Sequence, residues 1–240
     1  MTKKLYSLFL DAAATQTKLL AILIDPDVFS IEGTAKFLQE IPTNTTHLFV
    51  GGSTVEEGKT AMVVAALKEA SNLPIVLFPG DVSQIDEQAD GILFLSLLSG
   101  RNPEYLIGQH VRAVPILRVS NLEVLPTAYL LIDGGKSSAV ARVTGTDAML
   151  PTDVQLIVDT AKAGELLGAK LIYLEAGSGA ATPVSESIIR SVKEEVEIPL
   201  LVGGGIRTLS QLQQAYSAGA DMVIMGTVFE EQFKQVETDK

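Results

Sequence analysis

The stretch LIYLEAGSGA, residues 171–180, carries an apolar run into Tyr173 and Glu175 and then into Gly177, Ser178 and Gly179. A carboxylate at the end of a buried strand can accept hydrogen bonds from a polyol hydroxyl or take its proton. Glycines directly after it remove the side chains that would keep an anion away from backbone N–H groups. The same pattern recurs in VGGGIRT at 202–208 and IMGT at 224–227, so Gly203, Gly204, Gly226 and Thr227 join the candidate anion ligands. The plainer alternative is a set of tight turns whose glycines only supply positive φ. For Glu175 the alternative is a structural carboxylate paired with a buried Lys or Arg. No second carboxylate follows closely enough to suggest the pair of a glycoside hydrolase.

Two other segments end in metal-type oxygens: LIDPD at 23–27 offers Asp25, and VGGS at 50–53 offers Ser53. Mg²⁺ takes one or two protein oxygens and completes its shell with water and ligand phosphates. Asp25 before Pro26 also suits a turn or a helix start. Lys136 in DGGK at 133–136 could pair with a phosphate or, in an aldolase, carry a Schiff base.

The elements that must position these groups are legible as apolar runs: LLAILID at 19–25, HLFVGG at 47–52, PIVLFPG at 74–80, GILFLS at 91–96, YLLIDGG at 129–135, LIYLEAG at 171–177, PLLVGGG at 199–205 and MVIMGT at 222–227. Continuous apolarity marks strands of a parallel sheet covered on both faces. Helices are expected at 30–41, 55–71, 103–112, 152–168, 184–196, 208–218 and 227–236, with Ser30, Thr152 and Thr208 suited to helix starts. The third helix, DVSQIDEQAD, should be short or irregular. Pro115 and Pro126 bracket 113–128 as a lead-in to the fifth strand. Eight strands alternating with helices predict an α/β fold, a single-domain (β/α)8 TIM barrel over 1–240. An open doubly wound sheet gives the same alternation. In a barrel, the chemistry sits on the loops after the strands. Alternation along the sixth strand then turns Tyr173 and Glu175 into the mouth, with Ile172, Leu174 and Ala176 facing the helices.

With no cysteine in 240 residues, the chain has no disulfide, thiolate nucleophile or Cys-based metal site. A net charge of -11 argues against nucleic-acid binding, which relies on a basic surface. It also means a phosphorylated ligand must be held by backbone N–H groups and a divalent metal. No window approaches the roughly 20 apolar residues of a membrane span, and a cytoplasmic protein is expected.

In order and spacing, LIDPD, VGGS, LFPG, LPTAYLLIDGG, YLEAGSGA, VGGGIR and MGT resemble the geranylgeranylglyceryl phosphate synthase family, which includes bacterial heptaprenylglyceryl phosphate synthases. The likeness runs from about residue 5 to residue 230. It implies a Mg²⁺-dependent transferase that joins an isoprenyl diphosphate to the 3-hydroxyl of sn-glycerol 1-phosphate and releases diphosphate, the first ether-bond step of an ether lipid. By the same resemblance, Asp25 and Ser53 hold Mg²⁺ on the prenyl diphosphate. Tyr173, Leu174, Glu175, Ala176, Gly177, Ser178, Gly179, Gly203, Gly204, Gly226 and Thr227 hold glycerol 1-phosphate, with Glu175 as base or positioner. Some members have Asn where Thr227 stands, and either side chain can bind a phosphate. The prenyl tail would lie in an apolar groove using Phe78, Phe94 and Tyr129, residues that equally suit plain core, and Lys136 would meet the diphosphate. The pattern leans towards a geranylgeranyl donor; the resemblance implies a homo-oligomer (dimer or hexamer), and a membrane-bound product implies transient contact with a membrane surface. The rivals are an isomerase or aldolase of a sugar phosphate, and a barrel that binds a phosphorylated ligand without turnover.

Overall fold

The apolar runs become strands buried on both faces, and their two side-chain sets supply two separate cores. In the computed structural model, which describes residues 5–226, these strands are β1 (Leu19–Ile24), β2 (His47–Val50), β3 (Ile75–Leu77), β4 (Gly91–Leu97), β5 (Glu123–Leu131), β6 (Leu171–Glu175), β7 (Leu200–Gly203) and β8 (Met222–Met225). All pair in parallel in chain order, and β8 returns to β1 in the register Leu19↔Met222, so the sheet closes into a (β/α)8 barrel. Inside lie Ala21, Phe49, Leu93, Tyr129, Tyr173, Leu201 and Met222. The alternate positions, among them Ile22, Leu48, Ile172, Leu174 and Val202, pack outward under the helices.

Those helices are α1 (Leu5–Thr15), α2 (Thr34–Glu40), α3 (Lys59–Ala70), α4 (Gln109–Leu117), α5 (Ala139–Thr144), α6 (Val154–Leu166), α7 (Glu186–Glu195) and α8 (Leu209–Ala218). The third connection shrinks to a single 3₁₀ turn, Val82–Gln84, as its polar sequence predicts. Thr208 starts α8 with a capping box shared with Gln211. Ser30 and Thr152 do not cap: α2 follows Gly33 and α6 follows Asp153. Two helices had no counterpart in the sequence reading. One is α5, six residues in the loop after β5. The other is α1, whose Leu5, Phe9 and Ala12 share one face and close the barrel floor beside Leu19 and Phe49. The expected helix at 227–236 lies outside the described residues.

The region around the two prolines corrects the expected boundaries. A π-helical turn, Glu104–Gly108, leads into α4, which continues to Leu117 with Pro115 inside it on an exposed face. Strand β5 begins at Glu123 rather than Tyr129 and runs through Pro126. Proline is tolerated there because residues 123–126 pair only with β4; pairing with β6 starts at Thr127. That stretch is locally an edge, where a missing N–H leaves no ladder partner unsatisfied. Its carbonyl still accepts from Lys170 N at 2.7 Å.

Candidate active site

Strand β6 ends with its inward face carrying Tyr173 and Glu175, as alternation demands, while Leu174 and Ala176 join the outer core. Glu175 is buried, with 6% of its surface exposed. Its Oε1 accepts from Gly177 N at 2.8 Å, and its Oε2 accepts from the Tyr173 hydroxyl. Burial lifts the carboxyl from its ordinary value to about 7, against the lowering pull of the Gly177 N–H. No Lys or Arg pairs with it among the described residues, so the expected alternative of a buried ion pair does not hold. A carboxyl poised near neutrality, with fixed orientation, is suited to proton transfer.

The glycines around it are explained by close approach. A Cβ on Gly203 would strike the Tyr173 hydroxyl. Gly204 has φ +79°, and its Cβ would meet the Glu175 carboxylate and stand 2.7 Å from Gly177 N and 2.8 Å from Ala176 N. Some amides expected to reach an anion are occupied: Ala176 N donates to Gly203 O at 3.1 Å, and Gly177 N to Glu175. The side chains of Leu174 and Ala176 pack in the outer core. Together, Tyr173, Glu175, Ser178, Gly204, Gly205, Arg207 and Gly226 line a cleft at the β6, β7 and β8 ends. Thr227 lies outside the described residues. Arg207 was not singled out from the sequence; a charged residue two places after a glycine run reads there as a solvated loop side chain.

A second cleft of about 790 Å³, its open mouth included, lies against the ends of β2 to β5 and is walled by Phe78, Ile85, Phe94, Leu95, Tyr105 and Tyr129. The wall between the two clefts is aromatic. Tyr129 stacks on Tyr173 with centroids 5.3 Å apart, and Phe78 meets Tyr173 edge-on at 5.5 Å. The Tyr129 hydroxyl is buried without a hydrogen-bond partner among the described residues. Burial, and then the nearby Glu175 charge, push its ionisation well above the usual phenol range.

At the same rim, the Asp25 carboxylate lies over Gly52, whose missing Cβ would be 3.3 Å from its carboxyl atoms. Asp25 Oδ1 also accepts from Asp27 N at 2.9 Å. Ser53 follows Gly52 and borders the apolar cleft, and Gln84 holds this loop through Nε2 to Gly52 O at 2.9 Å. A carboxylate and a hydroxyl on adjacent loops fit a hard cation. No three acidic or His side chains converge among the described residues, so the rest of its shell would be water and phosphate oxygen. Lys136 stands exposed on the loop after β5. That position is outside the barrel interior, where a Schiff-base lysine would have to sit.

Comparisons with known proteins agree with this geometry. The profile of the PcrB family matches residues 13–239. A geranylgeranylglyceryl phosphate synthase of Zunongwangia profunda is 53% identical, over 95% of this chain and 97% of its own. One from Pyrococcus furiosus is 40% identical over 87% of this chain and 83% of its own. A crystal structure of the Thermoplasma acidophilum (S)-3-O-geranylgeranylglyceryl phosphate synthase in complex with sn-glycerol-1-phosphate superposes with a TM-score of 0.89, at 34% identity, covering 95% of this chain and 92% of that one.

Proposed function

The chain belongs to the PcrB family, and its relatives of similar length are geranylgeranylglyceryl phosphate synthases; we propose that it joins geranylgeranyl diphosphate to the 3-hydroxyl of sn-glycerol 1-phosphate. The observation that carries this reading is a pair of unlike clefts on the two sides of one aromatic wall, with the buried Glu175 carboxylate lining the smaller of them. One cleft is lined mostly by apolar and aromatic side chains, as a prenyl tail requires; the other is smaller and sets glycines, Glu175, Ser178 and Arg207 among apolar residues. Glycerol phosphate binds in the small cleft with its phosphate over the glycine loops after β6, β7 and β8, and its free hydroxyl directed to Glu175. The prenyl chain lies along Phe78 and Phe94, with its diphosphate at the Asp25–Ser53 rim and Lys136 on the loop above.

In the reaction, the glycerol 3-oxygen attacks C1 of the allylic diphosphate, a C–O ether bond forms, the bond to diphosphate breaks, and the hydroxyl proton passes to Glu175. The Tyr173 hydroxyl and Gly177 N–H fix the carboxylate so that it does not reorganise during transfer. The aromatic wall of Tyr129, Tyr173 and Phe78 excludes water, which would otherwise capture the allylic carbon. Asp25 and Ser53 would hold Mg²⁺, which supplies Lewis-acid neutralisation of the leaving diphosphate when bound. An aldolase reading loses its lysine, since Lys136 is exposed.

The whole of 1–240 is taken as one barrel domain acting in the cytoplasm, as a homo-oligomer, and meeting the membrane when it collects its donor. No helix among the described residues is long and apolar enough to cross a membrane. Incubation with labelled sn-glycerol 1-phosphate, Mg²⁺ and isoprenyl diphosphates of several lengths, followed by product analysis, tests the reading. Ether product and diphosphate in equal amounts are expected, best with the geranylgeranyl donor; no product with any donor would end it.

A further inference from the structure

We propose that Arg207 is the side chain that recognises the acceptor's phosphate, an assignment that rests on the reading of the small cleft given above. The protein as a whole is strongly acidic, and the cleft itself holds the Glu175 carboxylate. Bringing a phosphate dianion next to that group needs a local positive charge. Arg207 is the one cationic side chain among the described residues that line this cleft.

Its placement is built. The backbone N–H of Arg207 donates to Gln211 Oε1 at 2.8 Å, and Gln211 is itself locked in the capping box that starts α8. At the other end, Nη2 donates to the Ala180 carbonyl at 2.7 Å. Ala180 ends the Gly177–Ser178–Gly179 loop, so the guanidinium bridges the β6 and β7 loops beside the site. One of its five N–H groups is thereby used, and it forms no ion pair among the described residues. A partly buried guanidinium whose side-chain partner is a neutral carbonyl lacks a counter-ion, and its planar fork matches two phosphate oxygens. The Ala180 bond pre-sets the fork's direction, so less rotamer freedom is lost when the anion arrives.

The test compares wild type, Arg207→Gln and Arg207→Lys by steady-state kinetics against sn-glycerol 1-phosphate at saturating donor and Mg²⁺, and by calorimetric titration with inorganic phosphate. Arg207→Gln should raise KM by roughly 10- to 100-fold, more than it lowers kcat, as expected for a charge-assisted bond. Phosphate affinity and its sensitivity to salt should fall together, and Arg207→Lys, which keeps the charge, should recover part of both. An unchanged KM and unchanged phosphate binding in a folded Arg207→Gln overturns the assignment. So does a fall in kcat alone, which would make Arg207 only a latch between loops. Should Arg207→Gln fail to fold, Arg207→Met decides: KM and phosphate affinity equal to wild type in the folded methionine variant would also overturn it. If wild type binds phosphate through Arg207 yet makes no ether, the transferase reading fails while this one stands.

Discussion

At the scale of single residues, Glu175 and Tyr129 make opposite demands. Glu175 must be ionised to take a proton, and burial holds its carboxyl at about 7. Its ionised fraction therefore rises with pH, and kcat/KM should climb about tenfold per pH unit below that value and level above it. Glu175→Gln should remove this limb and lower kcat by about 10²- to 10⁴-fold while leaving phosphate binding in place; a pH–rate profile with the same limb in the variant would sink the base assignment. The buried, unpartnered Tyr129 hydroxyl should behave differently. Replacing it in Tyr129→Phe removes a desolvated polar group and should stabilise the fold by about 1 kcal/mol, seen as a higher denaturant midpoint, while turnover falls because that hydroxyl lies near enough to Glu175 to feel its charge. Stability and activity falling together would contradict this. Gly204→Ala should abolish acceptor binding, since a Cβ there collides with the Glu175 carboxylate and positive φ is strained besides. Much of this was readable beforehand: the alternation of LIYLE alone turns Glu175 inward. Tyr129 was legible only as a groove or core aromatic, its unpartnered hydroxyl was not, and Arg207 was not legible at all, because an arginine after glycines reads as solvated until its carbonyl partner is seen.

Elements explain why the barrel was legible and its ends were not. Strands buried on both faces must be apolar throughout, so eight of them stand out in sequence, and their order followed from closure. Boundaries depend instead on tertiary pairing: Pro126 sits within β5 because β6 reaches that strand one residue later, a fact no local signal carries. Helix α1 was missed for a similar reason, since its three buried residues have meaning only over the barrel floor. There Phe9 stacks on His47 with centroids 5.2 Å apart, and burial pushes the imidazole down to about 4. The depressed folded value means that stability is fully present above the ordinary histidine range near 6.5 and is lost as pH falls from there through about 4. The loss should reach about 3 kcal/mol. Thermal melts across this window should show the slope in wild type, and His47→Gln should flatten it even if its absolute stability is lower.

For the molecule as a whole, the net charge of -11 should govern how the proposed transferase meets a donor held in a bilayer. An isoprenyl diphosphate partitions into a bilayer by its tail and adds negative charge to the surface, so an acidic enzyme approaches against repulsion. Within a Debye length, about 10 Å at 0.1 M salt, that repulsion slows encounter, and added salt relieves it. With donor carried in vesicles, initial rates at low salt should therefore fall as the fraction of anionic lipid rises, and recover at moderate salt. Zwitterionic vesicles should show little dependence on salt. The same comparison with a short, water-soluble donor separates surface encounter from chemistry, because its rate should not respond to lipid charge. Rates with the long donor that ignore anionic lipid at low salt would mean that the enzyme presents a local face whose charge opposes that of the whole chain.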